Sequence, residues 1–240
     1  MSDVIMQLAD VMQREVDSVA RIAQNAANVA TAGYKARIDF SRLLTATGND
    51  ASSGAQVIQE WGASDAGYID LTDGVLKVTG QDTDLAASGK GWFVVSGGGQ
   101  QWLTRDGRFR IDANGFLQTR DGLAVMGEEG PLRPGTSGFQ ITTDGRLIVH
   151  GQETGRIRMA RVEDARQLVG NGNGLYRLPA APAWMAAEGI HQGMLEGSNV
   201  SVSTDMVRLL EKTRHIESVQ RALQSYDAIL NSGINQIGKE

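Results

Sequence analysis

Apolar residues recur at intervals of seven at both ends of this 240-residue chain. That spacing aligns apolar side chains along one side of a helix and suits packing against other helices. The N-terminal stripe comprises Ile5, Leu8, Met12, Val19, Ile22, Ala26 and Val29. The C-terminal stripe comprises Leu209, Ile216, Leu223, Leu230 and Ile237. Because stripes this narrow need partners, we expect both terminal helices to serve in assembly.

Capping residues set the expected ends of the two helices. Asp3 is suited to an N-cap, and Gly33 can take the left-handed conformation that ends a helix, so we expect the first helix to lie between them. Ser203 or Thr204 is suited to cap the second helix, with Asp205 placed favourably against the helix dipole.

Polar residues interrupt both stripes. Glu15 allows two interpretations. We favour a partly exposed position at which Val16 takes over the packing. The alternative is a polar residue that sets the helix register. Lys212 and Gly233 are weak points of the C-terminal stripe, and we expect fraying or a break close to Gly233.

The central region carries the signals of antiparallel β-structure. Short apolar runs alternate with Asp-Gly or Asn-Gly pairs, which tolerate the positive φ angles of tight hairpins. These pairs begin at Asp73, Asp106, Asn114, Asp121 and Asp144. We therefore predict an α+β fold, in which terminal helices form a coiled-coil-like layer and the centre is an antiparallel β-rich domain. The predicted divisions are a helix at 1–33, a flexible linker at 34–66, the β-domain at 67–190, and a C-terminal element and helix at 191–240.

Composition and charge argue against several classes of partner. The net charge is −5, with 23 basic and 28 acidic residues, which gives no electrostatic case for binding nucleic acid or anionic lipid. The chain has no cysteine, so disulfides and thiol catalysis are excluded. It has no apolar run of the roughly 20 residues that span a bilayer, and no Sec-type leader, so we expect no membrane insertion and export without a cleaved signal.

The sequence contains no convincing constellation for catalysis, a cofactor or a metal. The histidines at 150, 191 and 215 are far apart, and none has a second histidine at ligand spacing. The Ser-Gly-Gly-Gly segment at 96–99 lacks the Lys-Ser/Thr of a phosphate loop and is interpreted as a hairpin turn. Asp82 and Asp84 are interpreted as turn residues.

Aromatic residues allow one competing interpretation. Trp92, Phe93, Trp102 and Phe109 could form a carbohydrate-binding platform on a secreted β-protein. Because they fall on alternating predicted strands, we assign them to the core of the β-domain.

Four ordered segments resemble the signature blocks of bacterial flagellar axial proteins, the rod and hook family. They are NAANVATAGYK (25–35), TGQDTDLAASGKGWFVV (79–95), LTRDGRFRIDANGFLQTRDGLAVMG (103–127) and LEGSNVSVSTDMV (195–207). The first block adds Asn25 and Asn28 to the candidate assembly residues. The chain departs from the family pattern where Ala26, Ala30 and Ile216 replace more usual residues.

The resemblance implies a structural, non-catalytic subunit of the flagellar basal-body rod, the drive shaft that crosses the periplasm and transmits torque to the hook. The implied partners are other rod proteins, further copies of the chain and the flagellar type III export apparatus. Chain length and the short low-complexity stretch after the first helix are most like a proximal rod subunit, with a distal rod subunit as the alternative.

Overall fold

The computed structural model describes residues 2–38, 68–135, 138–165, 168–177 and 182–237. The chain divides into two compact units. The helical unit contains α1 (Ser2–Ala27) and α2 (Val202–Ile237). The β unit comprises the described residues within 28–38 and 68–200. The described residues thus form an α+β fold with a helix at each end, as the sequence predicted. The predicted linker lies mostly outside the described residues.

Helix α1 ends six residues before the predicted stop. Its last residue is Ala27, and the Thr31 backbone N–H then donates to the Asn28 carbonyl oxygen at 3.1 Å, which closes a turn. Gly33 has the expected left-handed conformation, with φ of +66°. This glycine therefore belongs to the connection that follows the helix.

Helix α2 begins earlier than predicted and continues further. The Asp205 N–H donates to the Ser201 carbonyl oxygen at 2.9 Å, so the first helical turn opens at Ser201. The Ser201 hydroxyl lies 2.9 Å from the hydroxyl of Thr204. The helix passes Gly233 without interruption and ends at Ile237, which contradicts the expected break.

The described part of the β unit contains short strands in chain order. The first nine are β1 (Arg37–Ile38), β2 (Tyr68–Ile69), β3 (Leu76–Val78), β4 (Leu85–Ala87), β5 (Gly91–Gly97), β6 (Gln100–Thr104), β7 (Arg110–Ile111), β8 (Leu117–Gln118) and β9 (Ala124–Val125). The others are β10 (Phe139–Ile141), β11 (Arg146–Val149), β12 (Gln152–Arg156), β13 (Met159–Arg161), β14 (Val169–Gly172), β15 (Leu175–Arg177), β16 (Ala183–Met185), β17 (Ile190–Gln192) and β18 (Met194–Glu196).

Every strand pairing among the described residues is antiparallel. The largest sheet follows the order β14-β15-β6-β5-β9-β8-β7, and β13 joins it by pairing with both β5 and β16. A three-stranded sheet has the order β10-β11-β12, and the strand pairs β1-β2, β4-β17 and β3-β18 complete the set. The last two pairs link chain segments about 100 residues apart, so the end of the β unit is tied to its beginning.

Strand β5 is buried on both faces and separates two apolar clusters. Its side chains alternate, so that Phe93 and Val95 enter one cluster while Trp92 and Val94 enter the other. Phe93 packs edge-on against Phe109, with ring centroids 5.4 Å apart. Trp92, Phe93 and Phe109 are each less than 5% exposed, and Trp102 packs partly buried against the same cluster as Phe93. The assignment of these aromatic residues to the core is confirmed.

The Asp-Gly and Asn-Gly pairs have two different roles. Gly115, Gly122 and Gly145 have φ of +83°, +83° and +77° in tight turns between paired strands, as predicted. Gly74 and Gly107 have no positive φ and do not close hairpins. A Cβ atom at Gly107 would lie 1.5 Å from the Leu85 carbonyl oxygen, so this glycine permits a close approach of two backbone segments. The hairpin prediction is wrong at these two positions.

Candidate assembly site

Helices α1 and α2 pack against each other, and the predicted stripes contribute to the covered faces. Ile22 and Asn25 are buried, as is Val219, which the seven-residue interval alone did not pick out. The half-buried members are Leu8, Met12, Val19, Leu209, Ile216 and Leu223. Ala26 and Val29 are exposed, and Asn28 is half-buried in the turn after α1. Ile5, Leu230 and Ile237 lie outside the described side chains. Whether these residues mediate assembly stays a prediction.

The polar residue that interrupts each stripe meets its counterpart on the other helix. Glu15 carries one oxygen 2.9 Å from the Lys212 ammonium and the other 2.9 Å from His215 Nδ1. The Glu15 side chain is only 12% exposed, whereas Val16 is 48% exposed. Glu15 is thus partly exposed, as predicted, but Val16 does not take over the packing, and that part of the favoured interpretation is wrong. Glu15 is instead an interhelical ion-pair partner.

The surroundings of Glu15 favour its charged form. Burial alone would raise the pKa of this carboxyl, but Lys212 and His215 overcome that effect and hold the pKa below its usual value of 4.5. A carboxylate in this state stabilises the helix pair only while it is ionised. The two interruptions thus form a polar link between α1 and α2.

Acidification should weaken the helix pair through Glu15. Because the folded-state pKa is depressed, the stabilisation is present above the ordinary pKa of 4.5 and is lost as the pH falls through the lower folded value. We expect the wild-type helical signal in circular dichroism to become less heat-resistant below pH 4.5. Glu15→Gln should be less stable at pH 7 and should lack this acid-dependent loss. An identical pH dependence in both proteins would contradict the role of Glu15.

A second cluster of charges lies buried in the β unit. Glu196 Oε1 is 2.7 Å from the Lys35 ammonium, and Glu196 Oε2 is 3.1 Å from Arg105 Nη1. All three side chains are 1% exposed. Asp73, at the surface, lies 3.8 Å from Lys35 and 3.7 Å from Arg105. Burial lowers the pKa of the Lys35 ammonium, an effect that Glu196 opposes. We call Lys35, Asp73, Arg105 and Glu196 the charge cluster.

Backbone groups add further hydrogen bonds to the charge cluster. Arg105 Nη1 donates to the Ala87 carbonyl oxygen at 2.6 Å, and Arg105 Nη2 donates to the carbonyl oxygen of Gly89. The Gly74 N–H donates to Glu196 Oε1 at 2.8 Å, and Lys35 donates to the Thr72 carbonyl oxygen at 2.7 Å. The Arg105 guanidinium also stacks over the Trp92 ring at 5.3 Å. These contacts tie the buried charges to several separate backbone segments.

The segment that follows α1 and the segment that precedes α2 join each other beside this cluster. Asn199 Oδ1 accepts a hydrogen bond from the Ala36 N–H at 2.7 Å, while its Nδ2 donates to the carbonyl oxygens of Asp70 and Thr72. The Gly33 N–H donates to the Glu196 carbonyl oxygen at 2.8 Å. Residues 33–38 and 196–199 are therefore fixed to the β unit together.

The sequence did not reveal this cluster, although three of its residues lie in segments that the sequence analysis had identified. Lys35, Arg105 and Glu196 each lie in one of the family-like blocks, but they are separated by up to 161 residues. Residue spacing identifies contacts within one helix or hairpin, not contacts between distant segments. The available signal was only that each of the three residues lies in a family-like block.

The charges of the cluster are paired with one another and with backbone groups. Among the described residues, no three His, Asp or Glu side chains are grouped so as to hold a metal ion. Neither helix in the described part of the chain has an apolar run suited to spanning a bilayer.

Comparison with known proteins finds relatives over nearly the whole chain. Residues 86–149 match the family model "Flagellar hook protein FlgE/F/G D1 domain", and residues 191–237 match "Flagellar basal body rod FlgEFG protein C-terminal". The flagellar basal-body rod protein FlgF of Caulobacter vibrioides is 31% identical over 236 residues, which cover 95% of this chain and 94% of that protein. FlgF of Salmonella typhimurium is 30% identical, covering 85% and 86%. FlgG of Bacillus subtilis is 28% identical, covering 89% and 91%.

A chain with this fold, these blocks and these relatives is an axial protein of the bacterial flagellum, and it belongs to the rod and hook protein family. Within that family it is FlgF-like, because FlgF basal-body rod proteins match it along nearly its full length.

Proposed function

We propose that this chain is a structural subunit of the flagellar basal-body rod. The observation that carries the proposal is the similarity to FlgF of Caulobacter vibrioides, which covers 95% of this chain and 94% of that protein. Because both chains are covered almost completely, the similarity includes the two terminal helices as well as the β unit.

In the proposed rod, the terminal helices form a helical layer with other axial proteins and with further copies of the chain. The predicted assembly residues on α1 and α2 contribute to that layer. A tube of this kind requires a contact between two different surfaces, which repeats along the axis without closing on itself. The charge cluster supports the proposal, because its contacts hold residues that follow α1 and residues that precede α2 together within the β unit.

The proposed role is structural and involves no catalysis. The aromatic residues that could have formed a carbohydrate platform, Trp92, Phe93 and Phe109, are buried in the core. The buried carboxylate of Glu196 forms ion pairs with Lys35 and Arg105. Both features favour packing and load-bearing over binding of a sugar or hydrolysis.

The proposed location is the rod within the periplasmic space, reached by export through the flagellar type III apparatus. A proximal position is favoured because FlgF proteins match closely, and a distal position, as for a FlgG protein, is the alternative. Cryo-electron microscopy of isolated basal bodies can separate the two, because this chain should occupy density on the cell-body side of the rod. Density beside the hook would contradict the proximal position.

Deletion of the gene tests the function itself. We expect cells without this chain to lack complete rods and hooks and to be unable to swim in soft agar. Expression of the wild-type chain should restore swimming, and a tagged copy should co-purify with basal bodies. Normal rods and normal swimming in the deletion strain would overturn the proposal.

A further inference from the structure

The sequence contains three Asn-Gly pairs, at 114–115, 171–172 and 173–174. Asparagine is chemically labile, because its side-chain amide can be attacked by the backbone nitrogen of the next residue. Glycine in that next position has no side chain to hinder the attack. The fold places the three pairs in different surroundings, and these surroundings determine how readily each asparagine can react.

Hydrogen bonds hold the turn at Asn114 in place. The Asn114 N–H donates to Asp112 Oδ1 at 2.9 Å, and the Gly115 N–H donates to the Asp112 carbonyl oxygen at 3.0 Å. Arg133 Nε donates to the Asn114 carbonyl oxygen at 3.1 Å. Gly115 is buried, and a Cβ atom there would lie 3.2 Å from the Cα atom of Gly135. The Gly115 nitrogen, which would have to attack, is therefore both hydrogen-bonded and enclosed.

The turn at Asn173 lacks these restraints. Asn173 and Gly174 form the two-residue loop between β14 and β15, with φ of +51° and +71°. In the described part of the chain, neither the Asn173 side chain nor the Gly174 N–H makes a hydrogen bond. Asn173 is exposed, and a Cβ atom at Gly174 would have no atom within 4 Å. The Gly174 nitrogen can therefore move toward the Asn173 side chain without breaking a hydrogen bond.

The third pair has an exposed asparagine, but its glycine belongs to a strand. Gly172 is the last residue of β14 and pairs with Leu175 of β15. The ladder therefore restrains the backbone on the glycine side of Asn171. Reaction at Asn171 requires this strand pair to open, so we place it behind Asn173.

We propose that Asn173 is a site of spontaneous deamidation in the folded protein, whereas the fold protects Asn114. The Gly174 nitrogen loses its proton to hydroxide and attacks the side-chain carbonyl carbon of Asn173. A new C–N bond forms, the side-chain amide group leaves as ammonia, and a succinimide ring results. One water molecule then opens the ring, to aspartate by cleavage at the side-chain carbonyl or to isoaspartate by cleavage at the main-chain carbonyl. Nothing is oxidised or reduced.

The modification changes a turn at one end of the largest sheet. The Gly174 carbonyl oxygen accepts a hydrogen bond from Thr104 Oγ1 at 3.1 Å, and Leu175 pairs with Thr104 in the ladder. Either product adds a negative charge to the turn, and isoaspartate also adds one carbon to the main chain between residues 173 and 174. We therefore expect isoaspartate to weaken the hydrogen bond to Thr104. This inference is independent of the proposed rod function.

Peptide mapping by mass spectrometry tests the proposal on the full chain. The purified protein is kept in mildly alkaline buffer, which favours loss of the glycine amide proton, and fragment ions assign each modification to residue 114, 171 or 173. Each hydrogen bond that must open first slows the reaction several-fold, so we expect Asn173 to react at least about tenfold faster than Asn114. The same chain unfolded in guanidinium chloride is the matched control. There Asn114 and Asn173 should react at similar rates.

Three results would overturn the proposal. The first is a folded chain in which Asn114 or Asn171 reacts as fast as Asn173. The second is reaction of Asn173 only after unfolding. The third is an unfolded chain that keeps the difference between Asn114 and Asn173, because the neighbouring sequence and not the fold would then be its cause.

Asp112→Ala tests the protection of Asn114 separately. The substitution removes the carboxylate that accepts hydrogen bonds from the N–H groups of Asn114 and Phe116. We expect deamidation at Asn114 to accelerate at least about fivefold and the rate at Asn173 to stay unchanged. Asn173→Gln is the control for site assignment and should lose the signal at position 173, because its longer side chain would form a six-membered ring far more slowly. An unchanged rate at Asn114 in an Asp112→Ala chain that circular dichroism shows to be folded would contradict the assigned protection.

Discussion

Replacement of Glu196 by glutamine is expected to lower the free energy of unfolding of the β unit by about 3–5 kcal/mol. Glu196 is 1% exposed and balances two buried cations, with oxygens 2.7 Å from Lys35 and 3.1 Å from Arg105. The substitution leaves those cations facing each other, with only the more distant and partly exposed Asp73 as an anion. Breaking a buried ion pair costs far more than the pair contributes, because the remaining charge has lost its compensation.

The surface pair of Arg161 and Glu163 supplies the matched control. Its atoms are 2.8 Å apart, almost the same as for Lys35 and Glu196, but the two side chains are 49% and 63% exposed. Glu163→Gln should therefore cost at most about 1 kcal/mol. Urea unfolding followed by tryptophan fluorescence can compare the two variants in the full chain. Equal losses of stability would show that burial does not set the importance of Glu196.

Local sequence patterns predicted those features of the fold that depend on local geometry. The heptad interval located both helices, and the glycines at 115, 122 and 145 located hairpin turns because a positive φ is a property of a few neighbouring residues. The same pattern was wrong at Gly74 and Gly107, where glycine is needed for close approach to Gly197 and Leu85. Sequence spacing carries no information about a neighbour that arrives from a distant segment.

The same limit explains what was missed in the candidate sites. Spacing showed that Glu15 and Lys212 each interrupt an apolar stripe, but not that they pair with each other across 197 positions of sequence. The packing at this position was therefore assigned to Val16, which is exposed. Family-like blocks contained Lys35, Arg105, Glu196 and Asn199, but only the folded chain shows that these polar residues share one junction. The resemblance therefore identified the family-like blocks, but it did not show which residues their polar side chains contact.

Gly33 offers a sharp test of that junction. Comparison with a second glycine separates the effect of its φ angle from the effect of its close neighbours. Its φ is +66°, and a Cβ atom there would lie 2.2 Å from the backbone C and O atoms of Arg105. Gly80 has nearly the same φ, +70°, but a Cβ atom at Gly80 would have nothing within 4 Å. Alanine at either position is strained by the left-handed backbone conformation. Only alanine at Gly33 must also push two backbone segments apart.

Gly80→Ala should therefore destabilise the protein by about 1–2 kcal/mol, the cost of the left-handed conformation. Gly33→Ala should cost about 1–3 kcal/mol more, because backbone atoms cannot rotate away as a side chain can. Widening the gap would also lengthen the 2.8 Å hydrogen bond from the Gly33 N–H to the Glu196 carbonyl oxygen, and so loosen the attachment of residues 33–38 beside the charge cluster. We expect the Gly33→Ala strain to swim poorly in soft agar and the Gly80→Ala strain to swim nearly normally. Similar stability and swimming of the two variants would mean that Gly33 is needed only for its φ angle. The close approach to Arg105 would then contribute to neither stability nor swimming.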